Sequence, residues 1–345
     1  MVDKDGDYPI YGASGYIGNV DFYHQEQPYV AVVKDGAGIG RTTLHPAKSS
    51  VIGTMQYLLP KGNVLPEYLC YVVKYMHLEK YFTGATIPHI YFKDYKNEEF
   101  NLDSLDRQKE IVSTLNKIEK VIESRTKELE LLDELIRARF VELFGNPLDG
   151  TAKYPIHQVG EVANSVDPQP SHRTPPVEEG GIPYVSIKDC DYKTGKIDFE
   201  GARKVSLKVL EEHMNRYTLH DGDFVVGKIG TIGNPVFVPV RNDYTLSANV
   251  VLIQPNSELV SPYFLKYSFE SDFVERQFAE AKNSTSQAAF GIQKVRTVEV
   301  MNPDLDVQRE FEIFVKQVDK SKFEIQKSLE KTQLLFDSLM QEYFG

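Results

Sequence analysis

Two segments of this 345-residue chain repeat one another without a gap. Residues 105–110 read Leu-Asp-Arg-Gln-Lys-Glu, and residues 305–310 read Leu-Asp-Val-Gln-Arg-Glu. The match continues with further identities to a shared Phe-Gly ending, at Gly145 in one copy and at Gly345 in the other. Chance is a poor explanation for so long a match, and an internal repeat is the signature of a duplicated structural unit. The chain is therefore predicted to contain two copies of one architecture.

Both copies carry apolar residues that step by three and four, which is heptad spacing. The spacing predicts two long helices, each spanning about 60 Å, that begin after Pro or Asp and end at Gly145 or Gly345. Polar residues interrupt the pattern at Arg125, Lys322 and Thr332. One such helix is equally typical of a self-stabilising coiled coil, but two matched copies favour antiparallel pairing with each other. The candidate helix-pair or partner interface consists of Ile111, Leu115, Ile118, Ile122, Leu129, Ile136, Val315, Val318, Leu329 and Phe336.

The regions that precede the helices also correspond. Residues 29–40 and 223–233 each read as an apolar strand that runs into a Gly-rich turn, and short aromatic helices are predicted after Pro66 and Pro262. Short β-type runs separated by Gly, Asn, Asp and Pro indicate mostly-β modules. The predicted fold is α+β, with two mostly-β modules separated by two long antiparallel coiled-coil helices. The predicted segments are an N-terminally abbreviated first module (1–101), a first helix (102–145), a second module (146–301) and a second helix (302–345).

Composition narrows the class of protein. With 41% hydrophobic and 26% charged residues, the chain is expected to be globular. It has no apolar run of membrane-spanning length, an acidic start at residues 1–7, and only Cys70 and Cys190. These features predict a cytoplasmic protein without a disulfide framework or zinc finger. The net charge of −11 argues against a globally basic nucleic-acid binder but permits local basic patches.

Catalytic motifs are missing from the sequence. The Gly-rich turn at residues 35–43 lacks the lysine of a phosphate-binding loop, so a tight-turn role is favoured over nucleotide binding. Asn146-Pro-Leu and Asn302-Pro-Asp do not match a DNA adenine methyltransferase loop, and the eight histidines show no metal-ligand spacing. We therefore predict no catalytic residue, no metal site and no enzyme acting alone.

Polar loops supply side chains that suit phosphates and base edges. The DNA-binding candidates are Lys34, Arg41, Ser186, Lys188, Lys228, Thr231, Ser286 and Gln287. The competing interpretation is that these are ordinary solvated loops, since residues 163–245 carry 10 Lys and Arg against 12 Asp and Glu.

Taken together, these features resemble the specificity (S) subunits of type I restriction-modification systems. The resemblance rests on residues 8–18 (YPIYGASGYIG), 84–90 (GATIPHI) and 181–189 (GIPYVSIKD), on both LDxQxE helix starts and on both Phe-Gly helix ends. It implies that each module is a target recognition domain reading half of a split double-stranded DNA sequence. It also implies that the long helices bind two methyltransferase (M) subunits, which restriction (R) subunits join. The chain itself would be non-catalytic and carry no cofactor, with S-adenosylmethionine, ATP and Mg²⁺ on its partners.

An alternative from another class is a DNA-free coiled-coil adaptor or scaffold. DNA binding that persists at moderate salt when M subunits are present would discriminate against it. An enzyme with an unrecognised site near the Gly-rich turns is a further alternative, which the absence of methyl transfer, nuclease and ATPase activity would set aside.

Overall fold

The computed structural model describes residues 6–84, 87–169, 171, 173–192, 194–228, 233–283 and 291–345. The chain divides into two compact units, Met1–Leu129 with Glu324–Gly345, and Glu130–Phe323. Each unit holds one module and a part of each long helix. The limits of the units therefore differ from the four predicted segments, which follow the sequence repeat.

The first module consists of two small sheets and short helices. Its elements are β1 (Tyr8–Gly12), β2 (Gly15–Val20), β3 (Tyr29–Val33), β4 (Thr42–His45), β5 (Ser50–Val51), β6 (Met55–Leu58), α1 (Pro66–Tyr75) and α2 (Phe92–Tyr95). One sheet has the order β2-β1-β5 and the other β4-β3-β6. Every residue of β3 is buried, as expected for the apolar run at the centre of a sheet. The first long helix, α3 (Leu105–Phe144), follows this module.

The second module contains the same core with additions. Its elements are β7 (Ile156–Gln158), α4 (Val159–Val162), β8 (Ala163–Val166), β9 (Ile182–Val185), β10 (Lys204–Val205), α5 (Leu207–Met214), β11 (Phe224–Gly227), β12 (Gly233–Phe237), β13 (Thr245–Leu246), β14 (Val250–Pro255), α6 (Pro262–Phe269), α7 (Asp272–Asn283), α8 (Ile292–Arg296) and β15 (Glu299–Met301). The sheet orders are β10-β9-β13, β12-β11-β14-β8 and β15-β7. The second long helix, α9 (Leu305–Phe344), follows this module.

The strand pairings confirm the predicted repeat. β11 lies between β12 and β14 as β3 lies between β4 and β6, and β9 pairs in parallel with β13 as β1 does with β5. Within the described residues of the first module, no strand corresponds to β8 or to the β7–β15 pair. The first module is the smaller of the two.

The long helices run antiparallel within each unit. In the second unit, Ile136 and Phe144 from the end of α3 share a core with Phe311 near the start of α9. In the first unit, Ile111 near the start of α3 shares a core with Met340 near the end of α9. The α+β fold with two mostly-β modules and two antiparallel helices is thus confirmed. Among the described residues, no helix combines the length and the apolarity needed to cross a membrane.

Candidate nucleic-acid interface

Two of the predicted DNA-contacting lysines occupy the same place in the two modules. Lys34 directly follows β3, and Lys228 directly follows β11. The backbone N–H of Lys34 donates to the carbonyl oxygen of Thr54 at 2.9 Å, and that of Lys228 donates to Asn249 at 2.8 Å. Each lysine therefore lies at the end of the central strand of its sheet.

The ammonium groups of these lysines differ in their surroundings. Lys228 is 5% exposed, and its Nζ lies 2.7 Å from Oδ2 of Asp167, one residue beyond β8. The described part of the first module has no counterpart of β8. There Lys34 is half-buried, and its ammonium makes no ion pair with the described residues. Lys34 can therefore meet a phosphate or a base directly, whereas Lys228 must first give up Asp167.

A buried polar network supports the segment that carries Asp167. The Nε2 atom of His213 lies 2.6 Å from Oε1 of Gln169, and its Nδ1 atom lies 2.6 Å from Oγ1 of Thr245. Because an amide oxygen only accepts, Nε2 carries the proton and Nδ1 accepts from the Thr245 hydroxyl. Burial lowers the pKa of His213, which keeps the ring neutral. The backbone N–H of Gln169 also donates to Asp167 at 3.2 Å. No sequence motif signals this network, whose members lie far apart in the chain.

The Gly-rich turn of the first module serves backbone geometry. Gly40 has a φ of +81°, and a Cβ there would lie 2.8 Å from the backbone nitrogen of Glu79. A shallow cavity of about 440 Å³ adjoins the turn and is lined by residues 37–42 with Lys74, His77 and Glu79. The carboxylate of Glu79 in this cavity disfavours a bound phosphate. The exposed Arg41 also lines this cavity, and its Nη1 donates to the carbonyl oxygen of Ala13 at 3.0 Å.

The remaining DNA-binding candidates divide by exposure. Ser186 is only 7% exposed, and its backbone N–H donates to Oδ2 of Asp189 at 2.8 Å. Lys188 is exposed in the same turn. Thr231, Ser286 and Gln287 lie outside the described residues. DNA contact by each of these residues stays a prediction.

The glutamine of the LDxQxE repeat is a structural residue that sequence reasoning treated only as a helix marker. Gln108 and Gln308 are both fully buried. Oε1 of Gln108 accepts from the Leu65 backbone at 2.8 Å, just before α1. Oε1 of Gln308 accepts from the Ser261 backbone at 2.7 Å, just before α6. Each glutamine thus fastens the start of a long helix to its own module, and the identity within the repeat was the signal for this role.

A family model for the type I restriction modification DNA specificity domain matches residues 2–134 and 153–334. The chain belongs to this family. It is similar to the MjaVIII type I restriction enzyme specificity subunit of Methanocaldococcus jannaschii, with 22% identity over 327 residues. That match covers 88% of this chain and 76% of the relative.

Solved structures show that this specificity-family fold is shared. An S subunit from M. genitalium aligns with a TM-score of 0.58 at 16% identity and covers 100% of this chain and 90% of its own. A chain from a study of complex assembly and conformational transition in a type I R-M system aligns with a TM-score of 0.52 at 13% identity. That alignment covers 97% of this chain and 90% of the other. Specificity subunits of this family recognise DNA sequence, work in complexes with M and R subunits, and are generally non-catalytic.

The ten predicted interface positions on the long helices differ in burial. Buried positions are Ile111, Leu115, Ile136, Val315 and Val318; half-buried positions are Ile118, Ile122, Leu129, Leu329 and Phe336. A different apolar set is 41% to 67% exposed on the same helices: Val121, Leu131, Leu135, Val141, Ile313, Phe323, Leu334 and Leu335. The heptad pattern did not predict this exposed set, here called the outward apolar face. The role of the ten predicted positions in a helix-pair or partner interface stays a prediction.

Metal-binding chemistry is not evident in the described part of the chain, where no three His, Cys, Asp or Glu residues are grouped to hold an ion. Cys70 is a buried free thiol and Cys190 a half-buried one.

Proposed function

We propose that this chain reads a bipartite DNA target, one half with each module. The observation that carries the proposal is the shared position of Lys34 and Lys228, each at the end of the central strand of its module. The matching contacts of Gln108 and Gln308 support it, because they attach each module to a helix in the same way. Two equivalent readers on one chain are suited to two separate half-sequences.

We further propose that two M subunits dock on the outward apolar face of the long helices, and that R subunits join them. Monomeric proteins seldom leave many large apolar side chains exposed on one element unless a partner covers them. Phe323 is 64% exposed and Leu334 is 67% exposed. Each compact unit carries its own part of this face, which agrees with two docking sites.

The chain is proposed to contribute recognition and assembly without chemistry of its own. S-adenosylmethionine, ATP and Mg²⁺ would then be bound by the partner subunits. A methyltransferase must extrude its target base before reaction, so a separate reader that fixes its position on the duplex is chemically reasonable.

Methylation mapping tests the proposed function. Genomic DNA from cells that contain this chain with its M subunits should carry adenine methylation at two fixed half-sequences separated by a gap. The purified chain alone should transfer no methyl group. A contiguous target, or methyl transfer by the chain alone, would contradict the proposal. If the complex forms but does not retain DNA at moderate salt, the adaptor alternative is favoured.

A further inference from the structure

We infer that the first module reads its half-site with one composite surface, centred on the tip of the β1–β2 hairpin. The surface, here called the hairpin surface, consists of the tip residues 13–17, residues 36–41 of the Gly-rich turn and residues 87–93. The inference rests on the proposed DNA-reading role and adds which element enters the groove.

Hydrogen bonds join these three segments into one surface within the first unit. Arg41 links the Gly-rich turn to the hairpin tip through its contact with the carbonyl oxygen of Ala13 at 3.0 Å. The backbone N–H of Gly36 donates to Pro88 at 2.9 Å, and that of Ile90 donates to Lys34 at 3.0 Å. The Gly-rich turn is therefore held between the other two segments.

The three segments of the hairpin surface contain no acidic residue of their own. Asp and Glu account for 50 of the 345 residues, yet none occurs in residues 8–20, 36–48 or 87–93. Arg41 and Lys93 lie in the hairpin surface itself, and Lys48 lies beyond it. The bordering carboxylate of Asp35 is in contact with His89. In a chain with a net charge of −11, these segments themselves add no repulsion against a phosphate backbone. The carboxylate of Glu79, in the cavity that adjoins the Gly-rich turn, is the repulsive group beside them.

The hairpin tip presents large side chains to solvent. Tyr16 is 62% exposed and Ile17 is 42% exposed, and Ile87 on the neighbouring segment is 58% exposed. The Tyr16 hydroxyl donates to Oδ1 of Asn19 at 3.0 Å, which orders the tip before binding. Gly15 adopts a φ of +108° with open space at its Cβ position, so the glycine serves the tight turn and leaves the tip uncrowded.

A two-stranded β ribbon fits the major groove of B-DNA, which is about 12 Å wide. With the ribbon in the groove, Ile17 can contact a thymine methyl group, and Ser14 can hydrogen-bond a base edge. Arg41, anchored beside the tip, retains guanidinium donors for a guanine or a phosphate. Duplex DNA is favoured over a protein partner because the three segments carry Arg41 and Lys93 and no carboxylate of their own, and because the hairpin has the dimensions of a groove-binding ribbon.

The test is a double substitution, Tyr16→Ala with Ile17→Ala, in the complex with the M subunits. Relative methylation is measured across DNA duplexes randomised in the first half-site. We expect discrimination there to fall about tenfold or more for each lost base contact, with the preference at the second half-site unchanged. The matched control, Leu59→Ala with Lys61→Ala, removes another exposed apolar residue and a charge from the same module, and should leave both preferences unchanged.

Thermal unfolding and co-elution with M subunits establish that each variant is folded and assembled. An unchanged first-half preference in a folded, assembled variant would overturn the inference. Loss of M subunits from a folded variant would also overturn it, by showing that the surface docks protein. So would loss of methylation at every sequence, because the tip is assigned to base reading and the phosphate contacts remain. If the unaltered complex methylates no bipartite sequence, the proposed function itself fails, which is a separate result.

Discussion

At the scale of single residues, the lysine that follows the central strand has different surroundings in the two modules. Lys228 is buried against Asp167 at 2.7 Å, whereas its counterpart Lys34 makes no ion pair with the described residues. Removing one member of a buried pair leaves an uncompensated charge in the interior, which costs about 3–5 kcal/mol. The two lysines are therefore expected to differ in what they contribute to stability and to DNA binding.

Lys228→Met should lower the free energy of unfolding of the second unit by about 3–5 kcal/mol, as measured by chemical denaturation. Adding Asp167→Asn should restore much of that loss, because the unpaired charge is then gone. The matched variant Lys34→Met should change stability by less than about 1 kcal/mol and weaken DNA binding at the first half-site. Equal destabilisation by both lysine variants would contradict the difference in their surroundings.

His213 makes the second unit sensitive to acid. Its folded pKa is lowered by burial, while in the unfolded chain it stays near the usual value of about 6.5. As the pH falls below about 6.5, the unfolded chain takes up a proton that the folded chain does not. Stability therefore falls with decreasing pH, by at most about 1.4 kcal/mol per pH unit from this group.

In the variant His213→Gln, the free energy of unfolding should fall less steeply between pH 7 and pH 5. Denaturant titration at each pH measures it. His45, whose pKa burial also lowers, remains in both proteins and cancels in the comparison. An unchanged pH slope would show that His213 is not held neutral in the folded unit.

At the scale of elements, the long helices were predictable because their information is local. Heptad spacing, acidic starts and terminal glycines predicted helices over 102–145 and 302–345, and the structure has Leu105–Phe144 and Leu305–Phe344. The role of a polar residue that interrupts the heptad pattern could not be predicted from its neighbours in sequence. Lys322 interrupts the apolar pattern, and its Nζ lies 2.6 Å from Oδ1 of Asp133 on the other helix. Such a pairing across 189 residues depends on the tertiary fold.

The glutamine contacts should account for much of the attachment of each helix to its module. Gln308→Ala leaves the Ser261 N–H and the Pro303 carbonyl oxygen buried without this partner, at a cost of about 2 kcal/mol or more. Calorimetry should show the loss, and Gln108→Ala should give a similar loss in the first unit. The exposed neighbour Arg309→Ala serves as control. A loss no larger than that of the control would mean that the glutamine contacts contribute little to stability.

Two adjacent residues separate helix packing from partner docking. Ile136 is 1% exposed and Leu135 is 47% exposed. Ile136→Asp places a charge in the core and should unfold or aggregate the chain. Leu135→Asp should leave thermal unfolding almost unchanged but reduce co-elution with M subunits in size-exclusion chromatography. Normal assembly of the Leu135 variant would contradict a docking site at Leu135 and would indicate other residues of the outward apolar face.

At the scale of the whole molecule, the duplicated architecture could be predicted from sequence, and much of the site could not. The repeat and the strand-to-turn pattern led to two modules with equivalent strand-end lysines. Burial of Lys228 could not be predicted, because its partner Asp167 follows β8, a strand that only the second module has among the described residues. The outward apolar residues could not be separated from the packed ones either, because heptad spacing shows periodicity without showing which partner covers each face.

The central claim is that two modules read two half-sequences whose separation the helices set. Inserting seven residues after Leu129 and seven after Phe323, where the compact units divide, preserves the heptad register. It lengthens each helix by about 10.5 Å, which corresponds to about three base pairs at 3.4 Å per pair.

Methylation mapping of cells that contain this lengthened chain and its M subunits is the most direct measurement. The account predicts that any remaining methylation falls on the same two half-sequences with a longer gap, and that the original site is lost. Methylation of the original sequence with its original gap would contradict the account.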